Sequence, residues 1–164
     1  MMGKASRAWI KLARSIDPER ADTFVERLGG DHAAAVLLAT AYPALAPPLE
    51  RNPRLVEGPA APTQETWDAF LALPRGDDFD AALRKLTLRV RLRIALRERL
   101  PRDLGGADIE GTAEELSQLG DATIGAALRE AVAEVRGRLG PLLLPDGSAS
   151  RLTILGKGKL GGLE

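Results

Sequence analysis

The chain has 164 residues, 45% hydrophobic, 28% charged and 4% aromatic, an ordinary globular composition for one domain or slightly more. Its 23 basic and 23 acidic residues cancel, so no global field favours nucleic acid or an anionic membrane, and the lack of cysteine excludes disulfides and thiolate chemistry. No stretch approaches the roughly 20 apolar residues of a membrane span. Met1 to Ala5 lacks an apolar signal-peptide core, which leaves the cytoplasm as the expected compartment.

Ala, Leu and Arg dominate and β-branched residues are sparse, so the expected class is mainly α, a helical bundle. A first helix is expected over Ala5 to Ser15. Asp17-Pro18 then reads as a cap followed by proline at the first helical position. The second helix places Ala21, Phe24, Val25 and Leu28 on one face and stops at Gly29-Gly30. Asp31 can cap a third helix holding Ala35, Leu38 and Ala39, and a further helical turn is expected from about Pro43 to Glu50. Residues 51–62, with Pro53, Gly58, Pro59 and Pro62, read as a loop. Thr63 and Thr66 precede a short helix carrying Trp67, Phe70 and Leu71, and Pro74-Arg75-Gly76 breaks the chain again.

From Leu86 to Leu96 the even positions are apolar and alternate mostly with arginine, which taken alone argues for a strand. The uninterrupted length from Asp77 to Leu100 and its Leu, Ala and Arg content argue for helix instead. Wound at about 100° per residue, the even positions form two opposite apolar stripes, which suits a helix lying between two neighbours. Pro101 ends it. Asp108 can cap the next helix, with Thr112 and Glu115 as a second capping-box start. Its three- and four-residue spacing runs through Ile109, Ala113, Leu116, Leu119, Thr123, Ala127, Ala131 and Val135, while Gly120 and Gly125 would allow close packing. Gly140-Pro141 stops it, a connection follows, and Leu152-Thr153-Ile154-Leu155 reads as a short buried strand. The expected organisation is a helical region over 1–140 and the start of an α/β core over 141–164.

Charge is unevenly placed. Eight basic residues and one acid lie between Arg84 and Arg102, and eight acids and one base between Asp103 and Glu134. A basic groove for a phosphate-bearing partner is one reading. Two helices whose flanking charges complement each other is the favoured one, because overall neutrality gives a polyanion no independent support.

The run Gly156-Lys157-Gly158-Lys159-Leu160-Gly161-Gly162 carries the chemistry. Glycines let backbone amides approach phosphate oxygens, and a lysine supplies a point charge. Gly156, Gly158 and Gly161 match a dinucleotide fingerprint, but no helix, second strand or acidic ribose ligand follows. A Walker A loop fails because neither Lys157 nor Lys159 is followed by Ser or Thr. A nucleotidyltransferase turn, with metal-holding carboxylates on a following strand, and a plain glycine-rich turn with solvated lysines both remain.

Leu152 to Gly162 resembles the strand and Gly-x-Gly-Lys-Leu-Gly-Gly pattern of the glutamine-synthetase adenylyltransferase/adenylyl-removing (glutamate-ammonia-ligase adenylyltransferase) family. Leu92 to Arg97 and Asp108 to Ser117 resemble its helical lead-in, and Arg51 to Leu55 is a looser echo. The resemblance implies an enzyme with two similar heads. One attaches AMP from ATP to a tyrosine of glutamine synthetase, and the other removes it with phosphate, releasing ADP. The helical preamble at a chain start points to the adenylyl-removing head, the two heads being alike.

By position, Gly161 and Gly162 would form the phosphate-facing turn and Lys159 would contact nucleotide phosphate. Mg2+ and ATP or ADP are the implied cofactors of the complete enzyme. Glutamine synthetase and a PII-type signalling protein are its implied partners, with no nucleic acid and no membrane. Lys157 stands where the family carries an apolar residue, and the family's Ser-Asp-x-Asp carboxylates do not occur among these 164 residues. The expectation is therefore an N-terminal portion, inactive by itself, with no catalytic or metal-binding residue to assign and no bound cofactor. The alternative is a noncatalytic helical interaction module with a glycine-rich tail.

Four other features have bland readings. His32 suits a surface or capping role, and one histidine builds neither a triad nor a metal site. Trp9 and Trp67 read as core anchors. Asp77, Asp78 and Asp80 complement a helix dipole.

Overall fold

The computed structural model describes residues 4–57, 61–150, 152 and 154. The described residues are mainly α, as expected, with seven α-helices: α1 (Lys4–Ile16), α2 (Pro18–Leu28), α3 (Ala33–Ala41), α4 (Ala46–Arg51), α5 (Gln64–Leu71), α6 (Phe79–Arg99) and α7 (Ile109–Leu139). Short 3-10 turns link several of them. None of the described helices is long and apolar enough to cross a membrane.

Two compact units emerge, each discontinuous in sequence: Met1–Pro62 with Leu88–Thr112, and Thr63–Thr87 with Ala113–Glu164. In the first unit α3 is the centre, packed on α1 and α2. Residues Ala33 to Thr40 are all buried, as a helix apolar on every side requires. The one hydroxyl among them, on Thr40, donates to Val36 O at 2.8 Å, which removes the cost of burying it. Asp17 starts α2 as expected, accepting from Arg20 N–H at 3.0 Å with Pro18 in the first turn. Gly29, at φ 83°, ends it.

Asp31 does not cap α3. Gly29 turns the chain straight into a 3-10 turn over Gly30–His32 that runs on into the helix, and neither cap position makes a side-chain bond. Residues 51–62 are not wholly loop either. Asn52 accepts from Arg54 N–H at 3.2 Å and opens a 3-10 turn over Pro53–Val56.

The alternating segment is helix, α6. Leu92, Leu96 and Leu100 join the core of the first unit with half-buried Leu88 beside them. Val90 and Ile94 are buried outside that cluster, about 200° round the helix from Leu92 and Leu96. Both stripes are real. The corner after α6 is closed by backbone bonds from Gly106 N–H to Pro101 O at 3.0 Å and from Ala107 N–H to Arg97 O at 3.1 Å.

In the second unit, Thr66 Oγ1 accepts from Thr63 N–H at 3.1 Å and starts α5. Phe70 is buried, but Leu71, the last residue of α5, is 67% exposed. In α7 the expected stripe holds only in part. Leu119 is buried and Ala113 and Thr123 are half-buried, but Ile109, Leu116, Ala127, Ala131 and Val135 are exposed, and burial falls also on Thr112, Ser117 and Ala126. A Cβ at Gly125 would meet nothing within 4 Å, so that glycine does not serve close packing.

Candidate functional site

Lys159, Gly161 and Gly162, with the rest of the run from Leu155, lie outside the described residues. The segment leading to them is described and has more structure than a simple connection. Gly140, at φ 84°, ends α7. Leu144 N–H then donates to Ser148 O at 2.8 Å and Ser150 N–H to Leu142 O at 2.9 Å, while Leu143 bridges Ala149 in antiparallel sense. Pro145-Asp146-Gly147 forms the turn of this small hairpin, with Gly147 at φ 82°. That tripeptide is a turn signature in its own right, and it was the signal by which the hairpin could have been found. Asp146 Oδ1 accepts from the Ser148 hydroxyl at 2.6 Å and Ser148 N–H at 2.9 Å, and these bonds hold its carboxyl below the usual range.

Beyond the hairpin, Leu152 is 62% and Ile154 50% exposed, and neither lies in a strand. The expected burial fails at both positions because no sheet among the described residues covers them. Thr153 and Leu155 lie outside the described residues.

Three polar arrangements fix the helices of the lead-in. In the first unit, Tyr42 follows α3 and meets the last turn of α6. Its hydroxyl donates to Glu98 Oε2 at 2.7 Å and accepts from Arg99 Nε at 2.7 Å, and the Arg99 guanidinium lies 4.6 Å from the ring centroid. Burial and then the Glu98 bond push this phenol above its ordinary range, with Arg99 opposing. Residues 56 and 57 positions apart meet here, and no local sequence pattern announces it.

The second arrangement is the cap of α7. Asp108 Oδ1 accepts from Gly111 N–H at 2.8 Å, and its other oxygen pairs with Arg102. The Gly111 amide first, and Arg102 after it, hold this carboxyl below the usual range. The expected cap at Asp108 is thus present, and Thr112 is not a second start: its hydroxyl is buried without a partner inside the helix.

The third is in the second unit. Arg129 Nη2 donates to Phe70 O at 2.9 Å, and Glu130 Oε1 accepts from Gly76 N–H at 2.7 Å. Adjacent residues of α7 thereby hold both sides of the α5–α6 connection. Thr87 and Thr123 hydroxyls also approach to 3.4 Å in this unit, so α6 and α7 meet there.

His32 and Trp9 line a cleft of about 160 Å³ in the first unit with Asp31 and Glu57, and His32 makes no capping bond. Trp9 packs against the core. Trp67 stacks on Phe70 at 6.5 Å between ring centroids, but it also lines a groove and is not purely a core anchor. Asp80 lies in the first turn of α6 and pairs with Arg84 at 3.3 Å. Among the described residues no group of three or more His, Asp or Glu side chains could hold a metal ion.

The family model for glutamate-ammonia ligase adenylyltransferase matches residues 35–164. No curated protein and no solved structure matches the chain significantly.

Proposed function

The chain belongs to the glutamate-ammonia ligase adenylyltransferase family, and from that premise we propose that it supplies the helical lead-in and the phosphate turn of a nucleotidyl-transfer site. The supporting observation is a family match over residues 35–164, which takes in most of α3, all of α4 to α7 and the glycine-rich run. The substrate is a tyrosine of glutamine synthetase. In the removing direction, phosphate attacks the phosphorus of the tyrosine-bound AMP. A new P–O bond forms, the bond to the tyrosine oxygen breaks, that oxygen takes up a proton, and ADP leaves. In the attaching direction the tyrosine oxygen attacks the α-phosphorus of ATP and gives up its proton, the bond from the α-phosphorus to the bridging oxygen breaks, and pyrophosphate leaves.

The role of this chain's residues is binding and charge. Gly161 and Gly162 let backbone amides face the phosphate oxygens, and Lys159 places a cation against them. Magnesium, when bound, would neutralise phosphate charge. Among the described residues no group of three or more His, Asp or Glu side chains is placed to hold it. A PII-type protein as regulator and the cytoplasm as compartment complete the proposal.

The test uses the natural gene product that carries this sequence. Incubated with adenylylated glutamine synthetase and phosphate, it is expected to release ADP and strip AMP from the tyrosine-bearing peptide, as read by mass spectrometry. Lys159→Ala is expected to slow this by at least about tenfold, the scale of one lost charge-assisted phosphate contact. Turnover in neither direction, or an undiminished rate in the variant, sinks the proposal. The 164 residues alone, which contain no Ser-Asp-x-Asp, are expected to catalyse neither reaction. Calorimetry should find them binding Mg-ATP and AMP no tighter than about 1 µM.

A further inference from the structure

The second unit contains a groove of about 450 Å³ between α5 and α7, the size of a site that encloses a compact ligand or a few side chains. Each wall is one helix face. On α5 the lining residues are Gln64, Trp67, Asp68 and Leu71; on α7 they are Gln118, Asp121, Ala122 and Gly125. Both sets follow i, i+3, i+4, i+7, the spacing by which one helix presents a continuous stripe to another. The stripe is about 10.5 Å long, two helical turns.

Its chemistry is uneven. The floor is Phe70 and Ala126, both buried. The α5 wall is large and apolar through Trp67 and Leu71, and Leu71 stands 67% exposed. The α7 wall is small, and at Gly125 nothing lies within 4 Å of where a Cβ would sit. Glycine inside a helix is destabilising relative to alanine, and here no contact within the described chain needs the missing side chain. Asp68 and Asp121 are exposed along the groove, and its lining includes no lysine or arginine. The Asp68 carboxylate is kept in place by Gln64 Nε2 at 2.9 Å. Asp121 belongs to the acidic run between Asp103 and Glu134, and Asp68 adds a second carboxylate from α5.

We propose that this groove is a docking site for an amphipathic, basic α-helix of a partner protein. The partner's large apolar side chains would enter over Gly125 and Ala122 against Trp67 and Leu71, and its flanking lysines or arginines would meet Asp68 and Asp121. Two walls at heptad-like spacing favour a third helix over a small molecule, and the two unopposed carboxylates select its charge. This docking function does not depend on nucleotidyl transfer.

The probe is a synthetic peptide of about five helical turns with leucines at i, i+3, i+4 and i+7 flanked by lysines. It is titrated into the isotopically labelled 164-residue chain. The chain has two tryptophans, so its indole N–H resonances report two places. The Trp67 resonance is expected to shift and the Trp9 resonance to stay. The same peptide with glutamates for lysines should bind at least about tenfold more weakly. Gly125→Leu fills the groove and is expected to weaken binding at least about tenfold without lowering the unfolding midpoint, since its Cβ meets open space. Should that variant misfold, Asp68→Lys with Asp121→Lys tests the same face, both positions being exposed; it should reverse the preference between the two peptides. Equal binding by the acidic peptide, undiminished binding by Gly125→Leu, an unmoved Trp67 resonance, or saturation by tryptamine at lower concentration than by the peptide would each overturn the proposal. The last outcome would make the groove a small-molecule site.

Discussion

Replacing Gly106 with alanine is the sharpest test of how the α6–α7 corner is built. A Cβ at that position would overlap the Leu100 carbonyl oxygen and lie 2.6 Å from the Leu100 carbonyl carbon and 2.9 Å from Pro101 O. All three atoms are backbone, so no rotamer change makes room. The corner has to open, and the bonds that close it, from Gly106 N–H to Pro101 O and from Ala107 N–H to Arg97 O, are the first to go. Each is worth about 1 kcal/mol net. Leu100, 5% exposed and part of the first unit's core, is then displaced at a cost of about 1–3 kcal/mol. The sum is a destabilisation of roughly 3–5 kcal/mol, in the range reserved for a named steric mechanism. Gly137→Ala is the matched control. It lies inside α7 with nothing within 4 Å of its would-be Cβ, so it should stabilise by about 0.5–1 kcal/mol. Urea unfolding followed by circular dichroism gives both values. A loss below about 1 kcal/mol for Gly106→Ala would refute the steric reasoning.

Other expectations come from the polar contacts. Tyr42 is the only tyrosine, so ultraviolet absorbance titrates it cleanly, and its midpoint should lie above the ordinary phenol value. Glu98→Gln should lower that midpoint and Arg99→Ala should raise it further, because the carboxylate opposes and the guanidinium favours the phenolate. A raised folded value means that this contribution to stability is full below the unfolded pKa and is lost as pH climbs through the folded one. For Asp108 the sign is opposite. Its folded value is depressed, so its contribution is present above the ordinary aspartate pKa and is lost as pH falls through the folded value. Asp108→Asn should flatten that part of the acid unfolding curve. Glu130→Ala removes the acceptor of Gly76 N–H at a cost of about 1–2 kcal/mol, and exchange of the Gly76 amide, read by NMR, should speed up.

Local chemistry made much of the fold readable. Asp17-Pro18 and Asp108 start helices because a carboxylate beside free N–H groups acts over three residues and needs no tertiary context. The length of the uninterrupted α6 segment decides its alternation in favour of helix, and the apolar positions of both stripes are buried or half-buried. The phase of α7 was not readable. Ala113, Ala127 and Ala131 lie on one side of the helix and Ala122 and Ala126 on the other, and alanine marks neither face; only tertiary packing selects Ala126, fully buried, over Ala127. The capping of α3 failed because a 3-10 turn displaced the start that Asp31 would have served. At the glycine-rich run the residues carried the family resemblance, since backbone approach to phosphate depends on glycine at fixed positions, and the family match covers the same run. The Tyr42 tie and the Arg129–Glu130 clamp join residues more than 50 positions apart, beyond the reach of periodicity or capping rules.

The discontinuity of both units bears on how the protein is made. The first unit draws its core from α3 and, across a gap that belongs to the second unit, from Leu92, Leu96 and Leu100. A nascent chain emerging from the ribosome therefore presents the uniformly apolar α3 well before the residues that complete its cover. During that interval of synthesis, which at 5–20 residues per second lasts several seconds, Val36, Leu37 and Leu38 have only α1, α2 and α4 to shield them. Chaperone engagement should peak over that window and fall once Leu100 clears the exit tunnel.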